Sequence, residues 1–194
     1  RMCSEKLYLL QEELKREGIP LEVVNGMELL VNGALIKWAE NHSLPGINGS
    51  RWLLTEFYFD ISPEQALRMA DQLAALGYGL ILAHPERYDL ARKAPENLMA
   101  FYERGIILQV NKGSLLGEFG RKASRTAEWM LMRGIAGIAA SDAHDPVLRN
   151  PDMEEVADMM EMYYGVEAAE VLLERNPGRI VGMAGRMNRP EKLL

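Results

Sequence analysis

The sequence predicts an α/β protein built around a parallel sheet, arranged as a β/α barrel. Two observations carry that reading. Short apolar runs of strand length alternate along the chain with segments of helical period, and the residues able to do chemistry stand at or just past the ends of those runs at near-constant spacing. With 194 residues, 48% of them hydrophobic and 26% charged, the chain has the composition of one folded core and none of the low-hydrophobicity bias of disorder. No linker or low-complexity stretch divides it, so residues 1–194 read as a single domain.

Taken in order, the first element is a helix in SEKLYLLQEELKREG, where Leu7, Leu10 and Leu14 share a face, Ser4 is the expected N-cap and Gly18 the stop. Strands are expected at LEVV (21–24), WLLTEFYF (52–59), GLILA (79–83), IILQV (106–110) and IAGIAA (135–140), each short enough to be buried on both faces. Helices are expected between them. The first, 63–76, has Ser62 as N-cap, Pro63 in the first turn and Gly77 after it. Others are read at 95–104, ended by Gly105, and at 122–133, ended by Gly134, with two more at 151–164 and 166–175. Neither a dinucleotide-binding G-x-G-x-x-G after the first strand nor a P-loop is present, which disfavours a nucleotide site of the open-sheet type.

Composition excludes several functions. A net charge of −6 argues against a protein whose task is to coat nucleic acid, and no apolar run approaches a membrane span. Cys3 is the only cysteine, which fits a reducing compartment, and no secretory h-region is readable; a cytoplasmic location is expected.

Glu28, Glu56, His84 and Asp142 follow one another at 28, 28 and 58 residues, one or two βα units per step. In a β/α barrel the C-terminal strand ends share one mouth, so residues in this register converge, and the strand containing Gln109 and Asn111 reaches the same rim. His144 lies two residues past Asp142, and in an extended segment both would face one ion. Imidazole with carboxylates suits Zn, Fe or Mn, while a soft thiolate set is absent. Arg87 and Arg149, shortly past His84 and His144, would ring the mouth, and guanidinium matches phosphate bidentately. Singly, each residue has an ordinary reading. Glu28 could be a solvated strand-end carboxylate, His84 a core histidine, Asp142 a turn cap, and the arginines surface ion pairs. Their joint register is what favours a phosphoester-hydrolysing metal site.

HPERY, SDAH, GSLLG and GMEL together resemble the polymerase-and-histidinol-phosphatase (PHP) superfamily, and within it the bacterial manganese-dependent protein-tyrosine phosphatases of capsule and exopolysaccharide loci. The similarity runs from about Glu12 to Asn176. It implies a distorted seven-stranded β/α barrel with Glu28, Glu56, His84, Asp142 and His144 as metal ligands for up to three Mn²⁺ or other divalent ions. It implies Arg87 as the substrate-binding and catalytic arginine and Arg149 as a second phosphate contact. The implied reaction is attack by a metal-bound hydroxide on phosphotyrosine, and the implied partner is a tyrosine-phosphorylated bacterial kinase that regulates polysaccharide synthesis, with no nucleic acid and no membrane insertion. A cysteine phosphatase would need C-x5-R, and the residue six past Cys3 is Leu9. Two alternatives stand beside this reading: a phosphoesterase acting on a small metabolite such as histidinol phosphate, and an inactive fragment. The second arises because the family opens with H-x-H, which this sequence lacks. With about five readable strands, the expectation is an N-terminally truncated barrel, short by on the order of 50 residues, that binds fewer metals or completes itself by self-association.

Overall fold

The computed structural model describes residues 2–182. Five strands, β1 (Glu28–Leu30), β2 (Trp52–Glu56), β3 (Gly79–Ala83), β4 (Ile107–Asn111) and β5 (Ala136–Ala140), form one sheet in chain order, and every neighbouring pair is parallel. A doubly wound sheet reverses its strand order at a switch point, whereas a barrel lays each strand beside the last. The sequential order therefore traces the arc of a β/α barrel, in the number of strands expected, though the first is not the run expected.

Helix α1 (Met2–Arg16) precedes the sheet, α2 (Gly33–Ala39) follows β1, and α3 (Pro63–Ala75) joins β2 to β3. Helices α4 (Asp89–Lys93) and α5 (Asn97–Glu103) lead to β4, and α6 (Lys112–Leu115) and α7 (Gly120–Met132) lead to β5. Beyond β5 come α8 (Glu154–Tyr164), α9 (Val166–Glu170), a π-helical turn (Val171–Arg175) and α10 (Asn176–Gly182). Helix α3 shows why such segments form where they do. The Ser62 hydroxyl accepts the Gln65 N–H at 3.2 Å, Pro63 supplies a preset φ, and Ala66, Ala70 and Leu73 make a narrow buried stripe that packs closely on the sheet.

The strand alternation splits the core in two. Leu53, Leu80, Leu82, Leu108 and Val110 point to the helical layer and pack with Leu73, Leu98, Phe101, Ala127, Met130 and Met160. Each such leucine contributes about 1.5–3 kcal/mol by leaving water. On the opposite, inner face Trp52, Ile81, Ile107 and Ile138 form a second cluster closed by Ile180 of α10. Glu56 shares the inner face with Trp52 and Leu54 by strand period, and Glu28 shares it with Leu30.

Several expectations need correction. The run 21–24 is irregular rather than a strand. Leu21 is 60% exposed, and the Val23 carbonyl accepts the Gln11 side-chain amide at 2.8 Å. Two apolar runs follow one another here, and the second, 29–31, is the one that meets β2; Glu28 accordingly opens β1, opposite Leu54, instead of following a strand. Strand β2 stops at Glu56 because Phe57 turns out of the ladder, its N–H donating to the buried Tyr88 hydroxyl at 3.1 Å. Ser4 lies inside α1 and not at its cap. The helix expected over 166–175 changes to π-helical hydrogen bonding after Glu170.

Candidate metal centre

Three residues meet beside the ends of β2 and β3. Glu28 enters from β1, Glu56 ends β2, and His84 is the residue after β3. Each offers a donor atom, and these atoms all lie within 4.8 Å of one another. His84 Nε2 is 3.0 Å from Glu28 Oε1 and 3.9 Å from Glu56 Oε2. The imidazole is brought there by an abrupt turn. His84 has φ 37° and ψ 50°, Pro85 follows, and a 3₁₀ turn over Pro85–Arg87 folds the chain back. The ring is buried, and its Nδ1 has no hydrogen-bond partner among the described residues.

The carboxylates respond in opposite directions. The hydrogen bond from His84 holds the Glu28 carboxyl below its ordinary range against the pull of burial, helped by the charges of His84, His144 and Arg87. Glu56 is pushed up, chiefly by burial and then by the negative charges of Glu28 and Asp142. Anionic ligands gathered in a partly desolvated mouth are a arrangement that a divalent cation relieves, and oxygen with imidazole is a set that Mn²⁺, Fe²⁺ and Zn²⁺ all accept. The residues present therefore fit a metal.

Asp142 and His144 stand beside this cluster. Asp142 has φ 52°, so the segment after β5 is left-handed at this residue and not extended as expected. That turn brings His144 Nδ1 back to within 2.8 Å of the Asp142 carbonyl oxygen and 3.6 Å of Oδ1, with the His144 ring largely exposed. The nearly buried Asp142 carboxylate instead gathers cations and amides. Its Oδ2 accepts from Asn111 Nδ2 at 2.6 Å, from Arg87 Nη1 at 3.5 Å and from Arg149 Nη2. The structure thus brings Glu28, Glu56 and His84 into one donor group, and Asp142, Arg87, Arg149 and Asn111 into an adjoining charged network. Gln109 is buried in β4.

Other residues that support the site carry only a faint signal in the sequence. Glu86, wholly buried behind the His84 turn, accepts the Asn111 N–H at 3.0 Å, which fixes the end of β4. Burial pushes its carboxyl up. Lys112, also buried, donates to the Asn150 carbonyl at 3.2 Å, to Asn150 Oδ1 at 2.7 Å and to the Asp152 carbonyl at 2.8 Å. It ties down the loop that bears Asp142, His144 and Arg149. Inside that loop the Asp145 carboxylate accepts the Val147, Leu148 and Arg149 N–H groups, and the His144 N–H reaches the Arg149 carbonyl at 2.8 Å. Phe59 and Phe119 flank the Arg87 guanidinium, whose carbon lies 5.1 and 4.6 Å from their ring centres. A carboxylate in the H-P-E-R turn and a lysine directly after a buried strand were the only hints available.

Comparison with known proteins places this geometry. The family model for capsular polysaccharide synthesis, CpsB/CapC, matches residues 1–182. The tyrosine-protein phosphatase YwqE of Bacillus subtilis is 32% identical over 165 residues, covering 85% of this chain and 65% of the relative. The tyrosine-protein phosphatase CpsB of Streptococcus pneumoniae is 26% identical over 183 residues, covering 92% of this chain and 75% of the relative. A chain from the crystal structures of these two proteins, described as unique metal-dependent tyrosine phosphatases, superposes with a TM-score of 0.83 at 28% identity, over 99% of this chain and 78% of its own length. This chain spans about two thirds of the Bacillus subtilis relative.

Proposed function

Since the chain belongs to the CpsB/CapC family of capsular polysaccharide synthesis, we propose that it works as a metal-dependent phosphatase on phosphotyrosine in proteins. Its substrate in this reading is a bacterial tyrosine kinase that regulates capsular or exopolysaccharide synthesis. The observation that carries the reading is the Glu28, Glu56 and His84 donor group lying against two arginines that share one carboxylate. The location that goes with this reading is the cytoplasm, where a kinase's phosphorylated tyrosines would be met; among the described residues no helix is long and apolar enough to cross a membrane.

Glu28, Glu56 and His84 would hold the metal, with Asp142 and His144 as the neighbouring ligands, and Mn²⁺ is the ion we assign. Bound divalent ions supply positive charge to the phosphoryl oxygens and acidify the attacking water. The chain's own side chains do the rest. Arg87 and Arg149 take the non-bridging oxygens, and they are pre-aimed because Asp142 Oδ2 and the Phe119 ring hold both guanidinium groups. Asn111 Nδ2 anchors Asp142 from the third side, so the arginines converge on a fixed point. Water attacks phosphorus, the P–O bond to the ring breaks, and the phenolate leaves; with a phenol pKa near about 10, it needs less protonation than an alkoxide.

The test is phosphate release from a phosphotyrosyl peptide in the presence of Mn²⁺. Arg87→Ala and His84→Ala should each abolish most of it. Release undiminished by either substitution would sink the assignment.

A further inference from the structure

Holding guanidinium groups accounts for the faces that Phe59 and Phe119 turn to Arg87 and Arg149, but not for the exposed remainder of Phe59. Phe59 lies on the loop after β2 and Phe119 just before α7, so the two rings reach the mouth from different strand ends. Both face the Arg87 guanidinium, and Phe119 also lies 5.8 Å from that of Arg149. Together with Asp89, Arg92 and Ala123 they line a pocket of about 270 Å³. Phe59 is backed by Tyr88 and His84, whose ring centres lie 5.5 and 5.9 Å away, yet it remains 43% exposed. An aromatic ring held rigidly from behind and open in front offers a stacking face.

The charges point the same way. Asp89 is drawn to Lys93 at 3.2 Å, which leaves Arg87 and Arg92 as the cations facing the pocket. An anion carried on a flat apolar body would satisfy both halves of such a wall. In an aryl phosphate the phosphoryl group and the ring are joined by one oxygen, just as Arg87 and the two phenylalanine rings adjoin here.

We propose that the pocket walled by Phe59 and Phe119 takes the aromatic ring of an aryl phosphomonoester whose phosphoryl group sits at Arg87, making these two residues determinants of aryl over alkyl specificity. The inference rests on the phosphatase reading for its biological setting, but it concerns binding and is tested as binding. An alkyl phosphate would leave the open part of the Phe59 ring in water, whereas an aryl ring seated in the pocket covers it.

Calorimetric titration of the Mn²⁺-loaded protein with phenylphosphonate and ethylphosphonate reads the preference without turnover. Phenylphosphonate should bind roughly tenfold tighter or better, the scale of one aromatic contact plus the area it covers. In Phe119→Leu and Phe59→Leu the ratio should fall toward one, and in Phe119→Tyr it should persist. Equal affinities in the unsubstituted protein, no binding of either ligand, or a ratio unchanged by the leucine substitutions would each overturn the proposal. A parallel loss for both ligands leaves the ratio unchanged, and so counts against ring recognition and for a role in holding Arg87. Should Phe119→Leu fail to fold, Phe59→Leu and Phe119→Tyr still decide. Selective phenylphosphonate binding by a protein that releases no phosphate from a phosphotyrosyl peptide would keep this subsite and discard the phosphatase reading.

Discussion

His84 is held in a left-handed backbone conformation immediately before a proline, and its buried Nδ1 has no partner among the described residues. Left-handed backbone costs an L-residue with a Cβ about 1–2 kcal/mol, and a residue preceding proline is further confined to extended conformations. Fold stability alone would select against histidine here, so the strain points to a role for Nε2 toward Glu28 and Glu56. Asparagine tolerates the left-handed region better. Metal-free His84→Asn should therefore unfold within about 1 kcal/mol of the unsubstituted protein, as the strain relieved offsets the packing lost. Mn²⁺ at about 100 times Kd should add about 2.7 kcal/mol to the unsubstituted protein, with chelation reversing it, and should add far less to the variant. Thermal unfolding with and without Mn²⁺ measures both, and a variant that keeps the full shift would remove His84 from the metal set. Arg87→Lys is the second prediction at this scale. Lysine keeps the charge but loses the planar fork that faces Asp142 and lies between two rings. Steady-state kinetics on a phosphotyrosyl peptide should show kcat/KM down by roughly 10²–10³-fold.

The elements that carry these residues differ in how plainly the sequence announces them. Strands β3, β4 and β5 were legible because each is a short apolar run with a glycine at or just before its start. Ser62, Pro63 and Gly77 mark α3 in the same way, and Ser62→Ala should cost about 1 kcal/mol in urea unfolding by orphaning the Gln65 N–H. Strand β1 was not legible. Two apolar runs lie close together, and only pairing with β2 selects 28–30 over 21–24. The meeting of Glu28, Glu56 and His84 did not hang on the bounds of that strand, because their spacing follows the repeat of βα units. What spacing could not supply was the backbone after β5, where a left-handed Asp142 turns its carboxylate to the arginines. Nor could it show that Lys112 holds the 142–152 loop, since that contact joins elements 38 to 40 residues apart. Lys112→Met would take the lysine donor from the Asn150 and Asp152 carbonyl groups, at about 1–3 kcal/mol in all, while Asn150 Oδ1 keeps the Asp152 N–H. Hydrogen exchange should speed up across residues 147–152 while α3 stays protected. Uniform exchange in both places would deny the lysine its role as a loop tether.

Across the whole molecule, the inner face of the sheet is divided along its length. The C-terminal strand ends hold the charged site, and the apolar remainder is sealed by α10, whose Ile180 packs on Trp52, Ile81, Ile107 and Ile138. Glycine makes that packing fit: a Cβ at Gly79 would come within 2.6 Å of the Trp52 ring, and one at Gly137 within 2.8 Å of Ile107. The Asn176 side-chain amide adds a buried hydrogen bond to the Gly137 carbonyl at 2.8 Å, so the chain's last described helix is fastened to β5 as well as to the inner face. Chemistry and closure thus occupy opposite ends of one surface, and they should separate on mutation. Ile180→Ala leaves a cavity against Trp52 and should cost about 2–5 kcal/mol, read as a lower urea midpoint and a red shift of Trp52 emission. Below its lowered melting temperature the variant should keep the kcat/KM of the unsubstituted protein within about threefold, because none of Glu28, Glu56, His84, Arg87 or Asp142 belongs to the cluster that Ile180 closes. A large fall in kcat/KM without loss of stability would show instead that α10 acts on the mouth through the sheet, and that the two ends are mechanically coupled.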